Sequence, residues 1–242
     1  SDTSMAAAAA QQLIADGVDV MIVSNTADTV IPVSTVCERA GTACISVDAP
    51  ASAWRMGGPY RNSWHTFFDN EREMLCFLDC WEQIDTNRTI GLVTANDSEG
   101  VEITSFIQSF AEAKGYTLAD PGRYAIGQTD YSALIRSFLD ARCDIILGVM
   151  NTEDFSCFWN QCRDLNFTPK LCTVAKSCLF ESDVRELDAA GDGLITEVWW
   201  NADFPGVSSI DGTSSAELAA AYLADHGGEL NIAPPTVGYQ YA

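Results

Sequence analysis

Residues 17–50 read GVDVMIVSNTADTVIPVSTVCERAGTACISVDAP, and their pattern sets the fold class. Residues 18–23 form an apolar run broken only by Asp19, and a polar loop, 24–28 (SNTAD), follows. Val30, Val33, Val36, Cys37 and Ala40 then recur at helical spacing, Gly41 closes the helix, and residues 42–47 make a second short apolar run. The order predicted is strand, helix, strand. Runs buried on both faces and joined by a one-sided helix mean an α/β fold, a parallel sheet with helical crossovers. In such a sheet the carboxyl ends of the strands share one edge, where ligands bind. Loops 24–28 and 48–54 should therefore lie side by side.

The chain has 242 residues, enough for one large domain or two small ones. At 47% hydrophobic and 19% charged residues it can build real cores, which excludes global disorder. Thirty-four acidic against 13 basic residues leave a net charge of −21. Nucleic acid and anionic membrane surfaces both require a basic footprint, so neither is an expected partner. No apolar run approaches the roughly 20 residues of a membrane span. Nine cysteines are present, without a CxxC pair, and most fall at apolar positions where a free thiol acts as a small hydrophobe.

Further along, helices are expected at residues 1–15, 70–84, 101–114, 155–165 and 214–224, with another begun by Gln128-Thr129-Asp130. Strands are expected at 62–68, 89–93, 143–149 and 171–174, with extended segments at 116–124 and 193–200. Residues 49–61, with Pro50, Gly57, Gly58 and Pro59, are expected to be loop. One internal correspondence stands out: residues 18–49 and 143–176 share a strand with aspartate second, an Asn-Thr-X-Asp loop, and a Cys-acid-Arg or Cys-Arg-acid group late in the helix. It suggests two lobes built alike, each presenting that loop at its strand ends.

Enzyme signatures are sparse. There are two histidines, His65 and His226, and no GxSxG, Walker A, HExxH or GxGxxG pattern, so neither catalysis nor a cofactor is expected. The acid pairs Asp97/Glu99 and Glu153/Asp154 could support acid–base chemistry, but so acidic a chain also needs a solvated acidic face. A binding role has more support. Loops 24–28, 48–54, 94–100, 150–154 and 175–177 all follow strands and carry small polar, charged or aromatic residues. Two precede the helix at 70–84 and three follow it, which suits two lobes closing by a hinge on a small ligand.

These features resemble the type I periplasmic-binding-protein family, the extracytoplasmic solute receptors of ABC importers, in its branched-chain amino acid branch. The stretches that carry the resemblance are LIADGVDVMIV, PVSTVCERAGTACIS, IGLVTANDSEG, TDYSALIRSFLDARCDIIL and GDGLITEVWW. The resemblance implies two Rossmann-like parallel-sheet lobes with a hinged cleft. The first would comprise residues 1–69 and 199–242, and the second residues 70–198. Relative to the family, strands and helices at both ends are expected to be missing from this chain. The implied location is extracytoplasmic, in the periplasm or as a cell-surface lipoprotein. The implied partners are a small-molecule ligand and the membrane permease of the importer; a signalling receptor's ligand-sensing ectodomain is the alternative with the same fold.

The candidate ligand-binding residues are Asn25, Thr26, Asp28, Asp48, Ala49, Trp54, Glu99, Asn151, Thr152, Lys176 and Trp200. Several depart from the amino-acid binders. Asp48 and Pro50 stand where the family offers hydroxyls and backbone N–H groups to a ligand carboxylate. Glu99 stands where an aromatic residue usually stacks on the ligand. Ala175 or Lys176 stands where an acid usually takes its ammonium. Lys176 at a strand end favours an anionic ligand oxygen; the alternative is a surface pair with Glu181 or Asp183.

Overall fold

The computed structural model describes residues 2–24, 26–197 and 200–226. Asp2 opens helix α1 (Thr3–Ala15), its carboxylate accepting the Met5 N–H at 2.9 Å. The decisive stretch folds as expected, into β1 (Val20–Val23), α2 (Ala27–Ala40) and β2 (Ala43–Ser46). Gly41 terminates α2 with φ of 74°, a left-handed cap that glycine adopts without strain. Pro50 and the glycines at 57–58 bracket a short helix, α3 (Ala51–Met56), where loop was expected. Proline at a helix start forfeits no helical hydrogen bond, so Pro50 marks a beginning and not a break. β3 (Ser63–His65) completes a parallel sheet in the order β1-β2-β3.

The chain divides into two compact units, with the border between Glu73 and Met74. In the first, α1 and α2 pack on one face of the sheet, where Ala10, Val30, Val33 and Cys37 meet Met21, Val23 and Cys44. The expectation that β1 is buried on both faces is corrected here. Val20 and Ile22 are 51% and 72% exposed, because both helices lie on the side of Met21 and Val23.

The second unit contains most of α4 (Asn70–Trp81), then β4 (Thr89–Thr94), α5 (Ser98–Lys114), β5 (Thr117–Ala119) and α6 (Ser132–Ala141). β6 (Ile145–Val149), α7 (Thr152–Asp164) and β7 (Leu171–Ala175) follow. The unit ends with α8 (Glu181–Leu187), a 3-10 turn (Asp188–Gly191), β8 (Leu194–Thr196) and α9 (Ser215–His226). Its five strands are parallel in the order β5-β4-β6-β7-β8. Both faces are covered. Ile145, Leu147, Val149, Ile90 and Leu92 pack against α4 and α5 residues such as Trp81 and Ile107. The alternate residues Ile146, Val93 and Val174 pack against Phe138 of α6 and Phe158 of α7. Each such side chain stabilises by about 1.5–3 kcal/mol. This double burial explains the unbroken apolar runs.

Residues 200–226, expected in the first lobe, group with the second unit. Their pairing is local: Val207 bridges Ser214, and the Ser208 N–H donates to Thr213 O at 2.8 Å. All nine thiols are free; six are buried, as their apolar positions implied, while Cys76 is exposed. Burial pushes the Cys37 thiol up to about 12. Among the described residues no helix is long and apolar enough to cross a membrane.

Candidate functional site

At the strand ends of the first unit, the loops after β1 and β2 are joined by the Thr26 N–H, which donates to Asp48 O at 3.0 Å. This places them side by side. Thr26 and Asp48 both have positive φ, 68° and 59°, conformations that non-glycine residues seldom adopt. Such strain is maintained only where surrounding contacts over-determine it. Asp48 is half-buried, and its Oδ1 is enclosed without a hydrogen-bond partner among the described residues. Desolvation holds its carboxyl above the usual range, against a hydrogen bond from Ser24. An enclosed acceptor of this kind is suited to a ligand donor.

Beside it, His65 bridges two loops: Nε2 lies 2.8 Å from Ala49 O and Nδ1 2.8 Å from Ser46 Oγ. A carbonyl can only accept, so Nε2 carries the hydrogen, and the neutral ring accepts at Nδ1 from the Ser46 hydroxyl. Burial lowers the His65 pKa and so favours that neutral form. Trp54 stacks between His65 and Tyr60, with ring centroids at 5.1 and 4.6 Å, and its indole N–H donates to Ser34 Oγ at 3.3 Å. Trp54 is thus a fixed wall. His65, Ser46 and Tyr60 were not among the candidate ligand-binding residues; the one available signal was a histidine closing a short strand.

At the strand ends of the second unit, Asp97 caps α5 by accepting the Gly100 N–H at 2.7 Å, which sets Glu99 in the first turn. The Ser177 hydroxyl donates to Met150 O at 2.6 Å and ties the loops after β6 and β7. Lys176 lies between them with φ of 67°, its N–H donating to Glu197 Oε1 at 2.7 Å. Its ammonium is bound to the Glu99 carboxylate and stands 3.7 Å from Asp97 Oδ2. Its ammonium is thus engaged at the strand-end edge and not in the surface pair with Asp183; the Glu181 side chain lies outside the described ones. The two positions that depart most from the family pattern are partners.

Burial is the largest influence on both members of this pair. It raises the Glu99 pKa, with the Lys176 charge opposing, while the carboxylates around Lys176 outweigh its own desolvation and raise that group. A carboxyl raised in the folded state contributes stability that is complete below its unfolded value, near 4.5, and is lost as pH rises through the folded value. In Lys176→Met the opposing charge is gone and that loss deepens. Relative to the parent, the variant should match at pH 4 and lose about 1–2 kcal/mol at pH 8. That is less than the ~3–5 kcal/mol of a fully buried pair, because both heads keep solvent contact. Urea unfolding at the two pH values checks this; a difference independent of pH contradicts it.

The remaining candidates divide clearly. Asp28 and Asn151 are exposed, and Thr152 is half-buried at the head of α7. Ala49 is buried, and its part in the network is its carbonyl. Asp154 is 3% exposed and serves as an internal acceptor for Gly127 and Asn151, so it is not at an open edge. Trp200 is likewise buried, at 3%. Asn25 lies outside the described residues.

The two Asn-Thr-X-Asp loops are not equivalent. Asn151 is the N-cap of α7 and accepts the Asp154 N–H at 2.8 Å, whereas α2 starts one residue later in its loop, with Thr26 at the N-cap and no side-chain capping bond. A one-residue shift changes which side chain can reach the free N–H groups.

A family model described as periplasmic binding protein matches residues 1–239. The fold is similar to that of an extracellular ligand-binding receptor from Rhodopseudomonas palustris HaA2, at TM-score 0.77 and 17% identity, covering 99% of this chain and 66% of that one. It is also similar to the branched-chain amino acid substrate-binding protein LivJ of Streptococcus pneumoniae in complex with isoleucine (TM-score 0.74, 16% identity, 95% and 64% covered). A third is a solute-binding protein of an R. palustris ABC transporter in complex with 4-hydroxybenzoate (0.76, 16%, 95% and 61%). The chain thus spans less than two thirds of the length of these structures. No curated protein sequence matches it.

Proposed function

Because the chain belongs to the periplasmic binding protein family, we propose that it is part of an extracytoplasmic solute-binding protein feeding an ABC importer, engaging a small carboxylate-bearing ligand through Lys176 at the strand-end edge of the second unit. The observation that carries this reading is the half-buried Lys176–Glu99 pair. An ammonium has three donors; Glu99 engages one and Asp97 stands 3.7 Å away, so a ligand carboxylate would take a remaining donor by displacing the more distant Asp97. At the strand ends of the first unit, taken by itself, Asp48 Oδ1 is enclosed without a partner among the described residues and is an acceptor suited to an ammonium or hydroxyl. Isoleucine and 4-hydroxybenzoate, the ligands named for two similar structures, each combine a carboxylate with such a donor. Trp54 and Tyr60 add an apolar aromatic surface.

Native mass spectrometry of gently purified protein identifies what it carries, and calorimetry then measures that ligand against Lys176→Met and Asp48→Asn. Lys176→Met should weaken a carboxylate ligand by about 1.5–3 kcal/mol, the value of a charged hydrogen bond. A loss below ~0.5 kcal/mol, a fraction of that value, removes Lys176 from the site.

A further inference from the structure

Away from the strand ends, the second unit has a cavity of about 300 Å³ between the last turns of α7 and the turn that leads into β8. Helix α7 runs from the strand-end edge at Thr152 to Asp164, so its cavity-lining residues Trp159, Cys162 and Arg163 lie about 10–17 Å of helix beyond that edge. Trp159, Cys162 and Phe167 form its apolar wall; they are 8%, 1% and 6% exposed. The Trp159 indole N–H is already committed to Ala190 O at 2.7 Å, so the wall presents carbon and sulfur. Arg163 and Asp192 also line the cavity. They do not pair with each other, and neither has an ion-pair partner among the described residues.

Two unpaired opposite charges beside an apolar cavity are complementary to a zwitterion with an apolar tail. We propose that this cavity is a second ligand site, separate from the strand-end edges, for a free α-amino acid with a large apolar side chain. Arg163 forks onto the carboxylate, whose planar geometry the guanidinium matches. Asp192 accepts the ammonium, helped by the negative end of the α7 dipole. The side chain rests on Trp159 and Phe167. By the roughly 30 Å³ that one water takes up, the cavity holds about ten heavy atoms, which suits a benzyl or isobutyl group with its polar end at the mouth.

L-phenylalanine is the probe, titrated into the full chain while the Trp159 indole N–H resonance, assigned through Trp159→Phe, is followed by NMR. Saturable perturbation in the millimolar range is expected. Arg163→Met and Asp192→Asn, both at exposed positions, should each weaken it at least tenfold. Phenethylamine and 3-phenylpropionate, each lacking one pole, should bind at least tenfold more weakly than phenylalanine. Lys176→Met should leave this affinity within twofold, which separates the cavity from the strand-end site whatever that site binds. The proposal is overturned by no perturbation at 20 mM, by equal binding of 3-phenylpropionate, by indifference to Arg163→Met, or by loss of binding in Lys176→Met.

Discussion

Asp154→Ala should destabilise the second unit by about 3 kcal/mol, through the loss of part-buried hydrogen bonds to a charged group. The Asp154 carboxylate accepts the Gly127 N–H at 3.0 Å and the Asn151 side-chain N–H at 2.8 Å. Its own N–H is received by Asn151 Oδ1 at 2.8 Å, so one acid joins the start of α7 to the turn before α6. Alanine leaves the Gly127 N–H and the Asn151 amide to solvent, since both residues are exposed, so the loss is that of their hydrogen bonds to a charged acceptor, about 1.5–3 kcal/mol each at most. Alanine also vacates space beside Tyr131, which is 1% exposed. Asp154→Asn keeps the shape and one carbonyl oxygen and should lose about half as much. Urea unfolding measures both; a loss under ~1 kcal/mol for alanine, the size of a single ordinary hydrogen bond, refutes the bridging role.

Gly100→Ala should lose about 3 kcal/mol, the upper range for overpacking, and should also lose ligand binding. In a helix the same exchange ordinarily gains up to ~1 kcal/mol, so the sign alone is diagnostic. A Cβ at position 100 would lie 2.0 Å from Ala95 O and 3.0 Å from Ala95 C. Those are backbone atoms that cannot rotate aside, so the turn after β4 must open. Opening it breaks the Asp97 cap on Gly100 and the bond from Asn96 N–H to Tyr124 O at 2.9 Å. It also draws Glu99 away from Lys176, which couples the stability defect to the site. A variant as stable as the parent would falsify the close approach.

Local pattern was a faithful guide wherever burial follows sequence neighbours. The apolar runs at β4, β6 and β7 and the one-sided helices between them were legible because a strand in a covered parallel sheet must be apolar throughout; β1 is as apolar, yet one of its faces is exposed. Thr26, Asp48, Glu99 and Lys176 could be placed at strand ends for the same reason: strand ends in such a sheet share an edge. The α3 helix was missed because Pro and Gly mark helix boundaries as readily as loops. Asp154 was misjudged because an acid at the third position of a helix can face water or turn inward, and only its neighbours decide.

The amino-acid sequence by itself determined an α/β chain with parallel sheets, and the loops that end their strands, since both follow from hydrophobic periodicity along the backbone. Tertiary structure alone decided how those loops use their charges. Lys176 and Glu99 are 77 positions apart in the chain and meet only because β4, β6 and β7 are neighbours in the sheet. Asp97, by contrast, is spent mainly on the Gly100 N–H of its own helix. Charge pairing depends on distance in space and on desolvation, and neither is written in the order of residues.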